Sequence, residues 1–146
     1  MNLRIPLAAL TLGAALAACS SGPPRRVHPS TASIQQLAVE ADGSWRVAVR
    51  LQNFSTFPMR YSGIDAKLSI DGKDVGALSV ALDLEILANS GDVVEARVQG
   101  GSALPQDRDI AYQLEGTIRT SEPSERFEFE RSSRLSPVPG VANTWR

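Results

Sequence analysis

From Trp45 onward, apolar and polar residues trade places at every second position. Trp45, Val47, Val49 and Leu51 alternate with Arg46, Ala48, Arg50 and Gln52, and Ile64, Ala66, Leu68 and Ile70 with Asp65, Lys67, Ser69 and Asp71. The same rhythm returns at Leu82, Leu84 and Ile86, at Val94, Ala96 and Val98, at Ile110, Tyr112, Leu114 and Ile118, and at Phe127 and Phe129. A period of two sends neighbouring side chains to opposite faces, so these segments predict antiparallel strands with one buried and one wet face. A further strand near Leu37 and Val39 brings the number to about seven. Helical periodicity is almost absent, and only Ala103 to Asp109 leaves room for a short helical turn. The pattern predicts an all-β fold, a fibronectin-III/immunoglobulin-like antiparallel β-sandwich of about seven strands, with a small closed barrel as the competing architecture.

Turn chemistry agrees with the strands. Asp71-Gly72 suits a two-residue type I′ hairpin, which needs positive φ at both positions. In the register this implies, Leu68 faces Val75, Ala66 faces Ala77, and Ile70 faces Lys73, whose stem can cover it. Ala41-Asp42-Gly43-Ser44 separates the first two strands, and Asn89-Ser90-Gly91 a later pair.

The first 18 residues do not share the rhythm. Arg4 is followed by an apolar run, Ile5 to Ala18, of 14 residues. That is short of the roughly 20 needed to span a bilayer, and Pro6 and Gly13 interrupt it. A positive start, an apolar stretch and small residues before a cut make a secretory signal peptide. Leu16-Ala17-Ala18-Cys19 resembles the lipobox of bacterial lipoproteins. The resemblance implies that Cys19 receives a diacylglycerol on sulfur and becomes the mature N-terminus. Anchoring by two or more acyl chains is stable, since each buried CH₂ contributes about 0.8 kcal/mol.

Composition narrows the function. Removing residues 1–18 deletes Arg4 and no acid, so the formal charge moves from −1 to −2. Such a chain lacks the basic stripe that nucleic acid demands. Cys19 is the only cysteine, so no disulfide within the chain and no cysteine metal site is expected. Ser20 to Ser33, with Pro23, Pro24 and Pro29, reads as an extended tether with a reach of roughly 40 Å. The residues after it suffice for one domain with its own core.

Within that domain, Val47 to Met59 carries a second resemblance. Val47-Ala48-Val49-Arg50-Leu51-Gln52-Asn53 is a strand ending in Asn, and Phe57-Pro58-Met59 is an aromatic-Pro-apolar step. Ile64 to Val75 then forms a strand-turn-strand around Asp71-Gly72-Lys73, and Ile86 to Gly91 an apolar-Ala-x-x-Gly step into Val93 and Val94. Together these resemble the type-2 late-embryogenesis-abundant family, or water-stress and hypersensitive-response (WHy) domain, over Ile34 to Arg131. One departure is Asn53-Phe54-Ser55, where family members often have Asn-Pro-Asn. The resemblance implies a sandwich without an established catalytic site and a role in stress tolerance or envelope interaction.

The residues offer little chemistry to set against that. His28 is the only histidine and lies in the tether, where no oriented imidazole is available for acid–base work. Lys67 and Lys73 fall on an exposed strand face and a hairpin tip. Asp71 and Asp74 read as hairpin residues rather than a cation site, so no catalytic residue, metal or cofactor is expected beyond the lipid on Cys19. Loops at sandwich ends often carry function, which makes Asn53, Phe54, Phe57 and Tyr61 a candidate binding loop. Trp145, in the Pro-rich tail, is a candidate contact, because an indole has a large apolar area to cover. It either packs back on the sandwich, stays in a disordered tail, enters the membrane or docks a partner, with disorder or self-packing expected from the general behaviour of termini.

The expected organisation is a signal peptide (1–18), a lipidated cysteine and tether (19–33), a WHy-type sandwich (34–131) and a Pro-rich tail (132–146). The expected place is the outer membrane, facing the periplasm, since Ser20 rather than Asp follows Cys19; exposure at the cell surface stays open. The membrane and a candidate envelope protein are the expected partners, and nucleic acid is not. A structural accessory lipoprotein that helps assemble an envelope complex is the alternative, motivated by the long tether and the Trp145 tail.

Overall fold

A computed structural model describes residues 22–146. Eight strands run through them: β1 Thr31–Val39, β2 Trp45–Gln52, β3 Met59–Ile70, β4 Lys73–Ile86, β5 Gly91–Val98, β6 Ile110–Glu122, β7 Ser124–Leu135 and β8 Thr144–Trp145. They form two four-stranded sheets, ordered β5-β2-β1-β8 and β4-β3-β6-β7, with every pair antiparallel. β4 lies beside β5 at one edge and β1 beside β7 at the other. This is the sandwich that the alternation predicts, with one more strand. Ala103 to Asp109 contains no helical turn.

The buried residues are the apolar set of the alternation. Val47, Val49 and Leu51 of β2, Ile64 and Leu68 of β3, and Leu114 and Ile118 of β6 are fully enclosed between the sheets. Three hairpins (β1-β2, β3-β4 and β6-β7) make the local pairings, and the other connections cross between sheets. Two crossings, residues 53–58 and 87–90, lie at one end with the start of β1. The other two, 99–109 and 136–143, lie at the opposite end with the β3-β4 hairpin.

That hairpin forms with Asp71 at φ 50° and Gly72 at φ 79°, and Ile70 pairs with Lys73 as expected. Beyond the tip the register differs. Ser69 pairs with Asp74, but Leu68 pairs with Gly76 and Ala66 with Leu78. Val75 is an extra residue, a bulge held where Asp74 Oδ1 accepts the Gly76 N–H at 3.0 Å and Gly76 adopts φ 140°. A one-residue slip exchanges the faces of a strand. Here it turns Leu78 into the core and leaves Ala77 exposed, which buries the larger side chain. Leu78, Ala66, Gly116 and Phe129 then form one row across the sheet. Glycine is required in that row, because a Cβ at residue 116 would overlap the Asp65 carbonyl.

Two boundaries differ from the expected ones. β1 begins at Thr31, inside the expected tether, and Ser30 before it is already buried. The Pro-rich tail is part of the fold. Ser136 and Arg146 exchange two backbone hydrogen bonds at 2.8 and 2.9 Å, and Val39 N–H donates to Asn143 O at 2.9 Å. Trp145 pairs with Leu37 in the ladder, is fully buried, and donates its indole N–H to Pro105 O at 3.1 Å. Packing back on the sandwich is therefore its outcome, and no indole surface remains for a membrane or a partner.

Candidate functional site

The loop that leaves β2 is organised by one side chain. Asn53 is fully buried, and its Nδ2 donates to the carbonyls of Phe57 (3.0 Å), Ile86 (3.0 Å) and Leu87 (3.1 Å). Its Oδ1 accepts the Ser55 N–H at 2.8 Å, closing an Asx-type turn. The backbone adds Asn53 N–H to Ser90 O at 2.8 Å and Asn89 N–H to Ser55 O at 3.3 Å. One amide thus clasps the two crossing loops of this end together. Such a buried polar group stabilises only because all its partners are present.

Phe57 and Tyr61 face inward from the same loop and the start of β3, and close the end of the core. The Arg25 guanidinium lies 4.4 Å from the centre of the Phe57 ring, a cation–π contact. Tyr61 Oη and Ser30 Oγ share a 2.7 Å hydrogen bond. Burial pushes the Tyr61 phenol above its ordinary pKa, and the Ser30 hydrogen bond partly opposes the shift. Of the four candidate loop residues, Asn53, Phe57 and Tyr61 hold the fold; Phe54 alone is exposed, at 47%.

The segment before β1 is fastened to this loop. Thr56 Oγ1 donates to Pro24 O at 2.7 Å and accepts the Arg26 N–H at 2.8 Å, and Thr56 N–H donates to Arg26 O at 3.1 Å. His28 N–H donates to Ser55 Oγ at 2.9 Å. From Pro24 onward, then, the expected free tether is bound chain. Its side chains at Arg25, Arg26, Val27 and His28 are exposed. Cys19 and the expected signal peptide lie outside the described residues.

The sequence reading passed over Ser30, Ser55 and Thr56, whose hydroxyls make this attachment. Asn53-Phe54-Ser55 did carry the Asx-turn signal. Nothing local indicated that Thr56 would meet a segment about 30 positions earlier.

A second feature lies on the outer face of the β4-β3-β6-β7 sheet. A shallow groove of about 770 Å³ runs past Asp65, Lys67, Ser79, Glu115, Glu128 and Glu130. Asp65 accepts from Ser79 Oγ and pairs with Arg119; the Ser79 bond and then Arg119 hold its carboxyl below the usual carboxylate range. A carboxylate held acidic and paired with a guanidinium is a poor base for activating the neighbouring hydroxyl. This pair therefore reads as cross-strand bracing. Among the described residues, no three His, Cys, Asp or Glu side chains are placed to hold a metal ion.

No protein-family model matches the chain, and no curated protein matches it. Several solved structures are similar to it. A solution structure of a protein from Arabidopsis thaliana is 12% identical over 83% of this chain and 85% of that chain, with a TM-score of 0.49. A crystal structure of a protein from Archaeoglobus fulgidus is 12% identical over 77% of this chain and 98% of that chain, with a TM-score of 0.42. A solution structure of a candidate late embryogenesis abundant (LEA) protein is 14% identical over 75% of this chain and 72% of that chain, with a TM-score of 0.41.

Proposed function

We propose that this chain is a non-catalytic lipoprotein, held to the outer membrane by acyl chains on Cys19, whose WHy-type sandwich serves stress tolerance or binding in the envelope. The observation that carries the reading is the junction between anchor sequence and fold. Leu16-Ala17-Ala18-Cys19 is followed, five positions after the cysteine, by chain hydrogen-bonded to the domain at Pro24. A signal peptide cut before Cys19 leaves a short lead into a packed sandwich, the arrangement of a module carried on a membrane surface. The strand-Asn-turn of the WHy resemblance coincides with the buried Asn53 clasp, which supports the family reading on this chain's own residues.

The alternative of an accessory protein in an envelope complex drew on a long free tether and an available Trp145. The first is bound from Pro24 onward and the second is buried. The membrane-surface reading is therefore preferred.

Growth of the expressing bacterium with an alkynyl fatty acid tests the anchor. Label on the wild-type chain, absence of label on C19S, and release of C19S from the membrane fraction are expected. An unlabelled wild-type chain that fractionates with soluble periplasmic protein would overturn the reading.

A further inference from the structure

We propose that the end of the sandwich bearing Val27, Phe54 and Leu87 rests in the lipid interface beside the anchor, with Phe54 and Leu87 as the inserted side chains. The proposal deepens the anchoring reading and rests on acylation of Cys19.

Length comes first. From Cys19 to Pro24 there are 24 − 19 = 5 residue steps, and an extended chain advances at most about 3.6 Å per residue. The bound segment therefore begins within roughly 18 Å of the acylated sulfur, less than half the reach of the tether expected from sequence. Because Pro24 and Arg26 are fastened to Thr56, the end of the domain turned toward the membrane is the one carrying loops 53–58 and 87–90.

The apolar surface is concentrated at that same end. The large hydrophobic side chains left exposed among the described residues are Val27 (40%), Phe54 (47%), Leu87 (59%), Val93 and Val141. The first three lie in the bound segment and the two clasped loops, and only Val141 belongs to the opposite end. An exposed Phe and Leu on adjoining loops are costly in water and favourable in the acyl boundary. Their backbone is already ordered, since Asn53 ties Phe57, Ile86 and Leu87 together. Insertion therefore requires no further ordering of the loops.

Charge fits a headgroup layer without dominating it. Arg25 and Arg26 stand on the segment nearest the anchor, where their side chains can snorkel to phosphates. Arg60, paired with Asp83 at 2.5 Å, and Glu85 and Glu122 near it carry 1 − 3 = −2, which offsets the two positive charges of Arg25 and Arg26. The apolar side chains thus carry the contact, and anionic lipid adds a smaller contribution.

The test uses the full acylated chain in protein-free vesicles of phosphatidylethanolamine and phosphatidylglycerol. Trp45 and Trp145 are 1% and 0% exposed, so they form a constant background for the single variants F54W, L87W and V141W. At an insertion depth of about 5–10 Å, lipids brominated high on the chain should quench roughly half of the added emission of F54W and L87W. V141W should be unaffected. No quenching of F54W and L87W, in samples whose mass shows acylated Cys19, overturns the docking and leaves the anchor intact. Equal quenching of all three overturns the orientation. Shielding of F54W that appears only after envelope protein is added assigns the surface to a protein and overturns the lipid proposal. A mass without acyl chains overturns the anchoring reading and this proposal with it, and the mass spectrum separates that failure from the others.

Discussion

The two ends of the sandwich each carry aromatic residues in or next to the crossing loops, and the fold treats them in opposite ways. At the end with loops 99–109 and 136–143, Trp145 is drawn into the β-ladder beside Leu37 and fully enclosed. At the other end, Phe57 and Tyr61 are enclosed while Phe54 is left out in solvent. The difference lies in who satisfies the backbone. The tail is pinned by its own main chain, through the Ser136–Arg146 pair and the Val39–Asn143 bond, and the indole then fills the space behind it. The 53–58 loop is pinned by a side-chain amide, which frees the residue beside it from any structural task. An aromatic residue in a loop is thus a contact candidate only when something else holds the loop.

Removing the filler at the first end should have the largest effect. Replacing a buried Trp with Ala costs about 3–5 kcal/mol, through lost transfer energy and the cavity left behind. W145A should lower the urea midpoint by a matching amount, read from the remaining Trp45 fluorescence. The β8 pairing and the Pro105 contact would open with it. A midpoint unchanged from wild type would mean that the tail is an appendage, and the contrast between the ends would fail.

The clasp at the second end comes next. Asn53→Ala deprives three carbonyls and the Ser55 N–H of a partner. Each buried polar group left unpaired costs about 1–3 kcal/mol, though water admitted at the loop recovers part of that, so about 3 kcal/mol is expected overall. Asn53→Asp should be similarly damaging, because a carboxylate has no N–H to offer those carbonyls. Hydrogen exchange should show protection lost in residues 53–57 and 86–90 together, since the same amide holds both. Loss confined to one loop would show that they are held separately.

The two ends were unequally legible in the sequence for the same physical reason. Strand faces follow from a period of two, so Val47, Ile64, Leu114 and their row-mates were readable as core without any knowledge of partners. The bulge at Val75 was not readable, because it depends on Leu78 outweighing Ala77 for a place beside Ala66. The binding of residues 24–30 and the burial of Trp145 depend on contacts between segments 30 to 40 positions apart or more. Proline-rich composition reports only that a segment makes few local hydrogen bonds. It says nothing about whether another loop supplies them. Asn53 stood out because an Asn ending an apolar strand announces a turn, and the structure adds that the turn is internal and holds its neighbours.

The smallest expected effect concerns pH, where the ends again diverge. At the far end, Asp71 accepts the Ala111 N–H and pairs with Arg108, and both hold its carboxyl below the ordinary value. A lowered carboxyl stabilises the fold above the unfolded pKa of about 3.9, and that contribution fades as pH falls through the folded value. At the near end, burial holds the Tyr61 phenol above its ordinary value. Below about pH 10 the phenol is protonated in both states and its contribution is complete. Above that, the unfolded chain releases the proton while the folded chain keeps it, so stability falls as pH rises toward the folded value. Protection factors should therefore decline first around Asp71 and Ala111 in acid, and first around Ser30 and Tyr61 in alkali. Tyr61→Phe should cost about 1 kcal/mol at neutral pH by leaving the Ser30 hydroxyl unpaired, and should flatten the alkaline decline around Ser30 because residue 61 then carries no ionisable hydroxyl. If the alkaline decline survives Y61F unchanged, Tyr61 is not its source, and the near end is held by the clasp and the Thr56 bonds without help from the phenol.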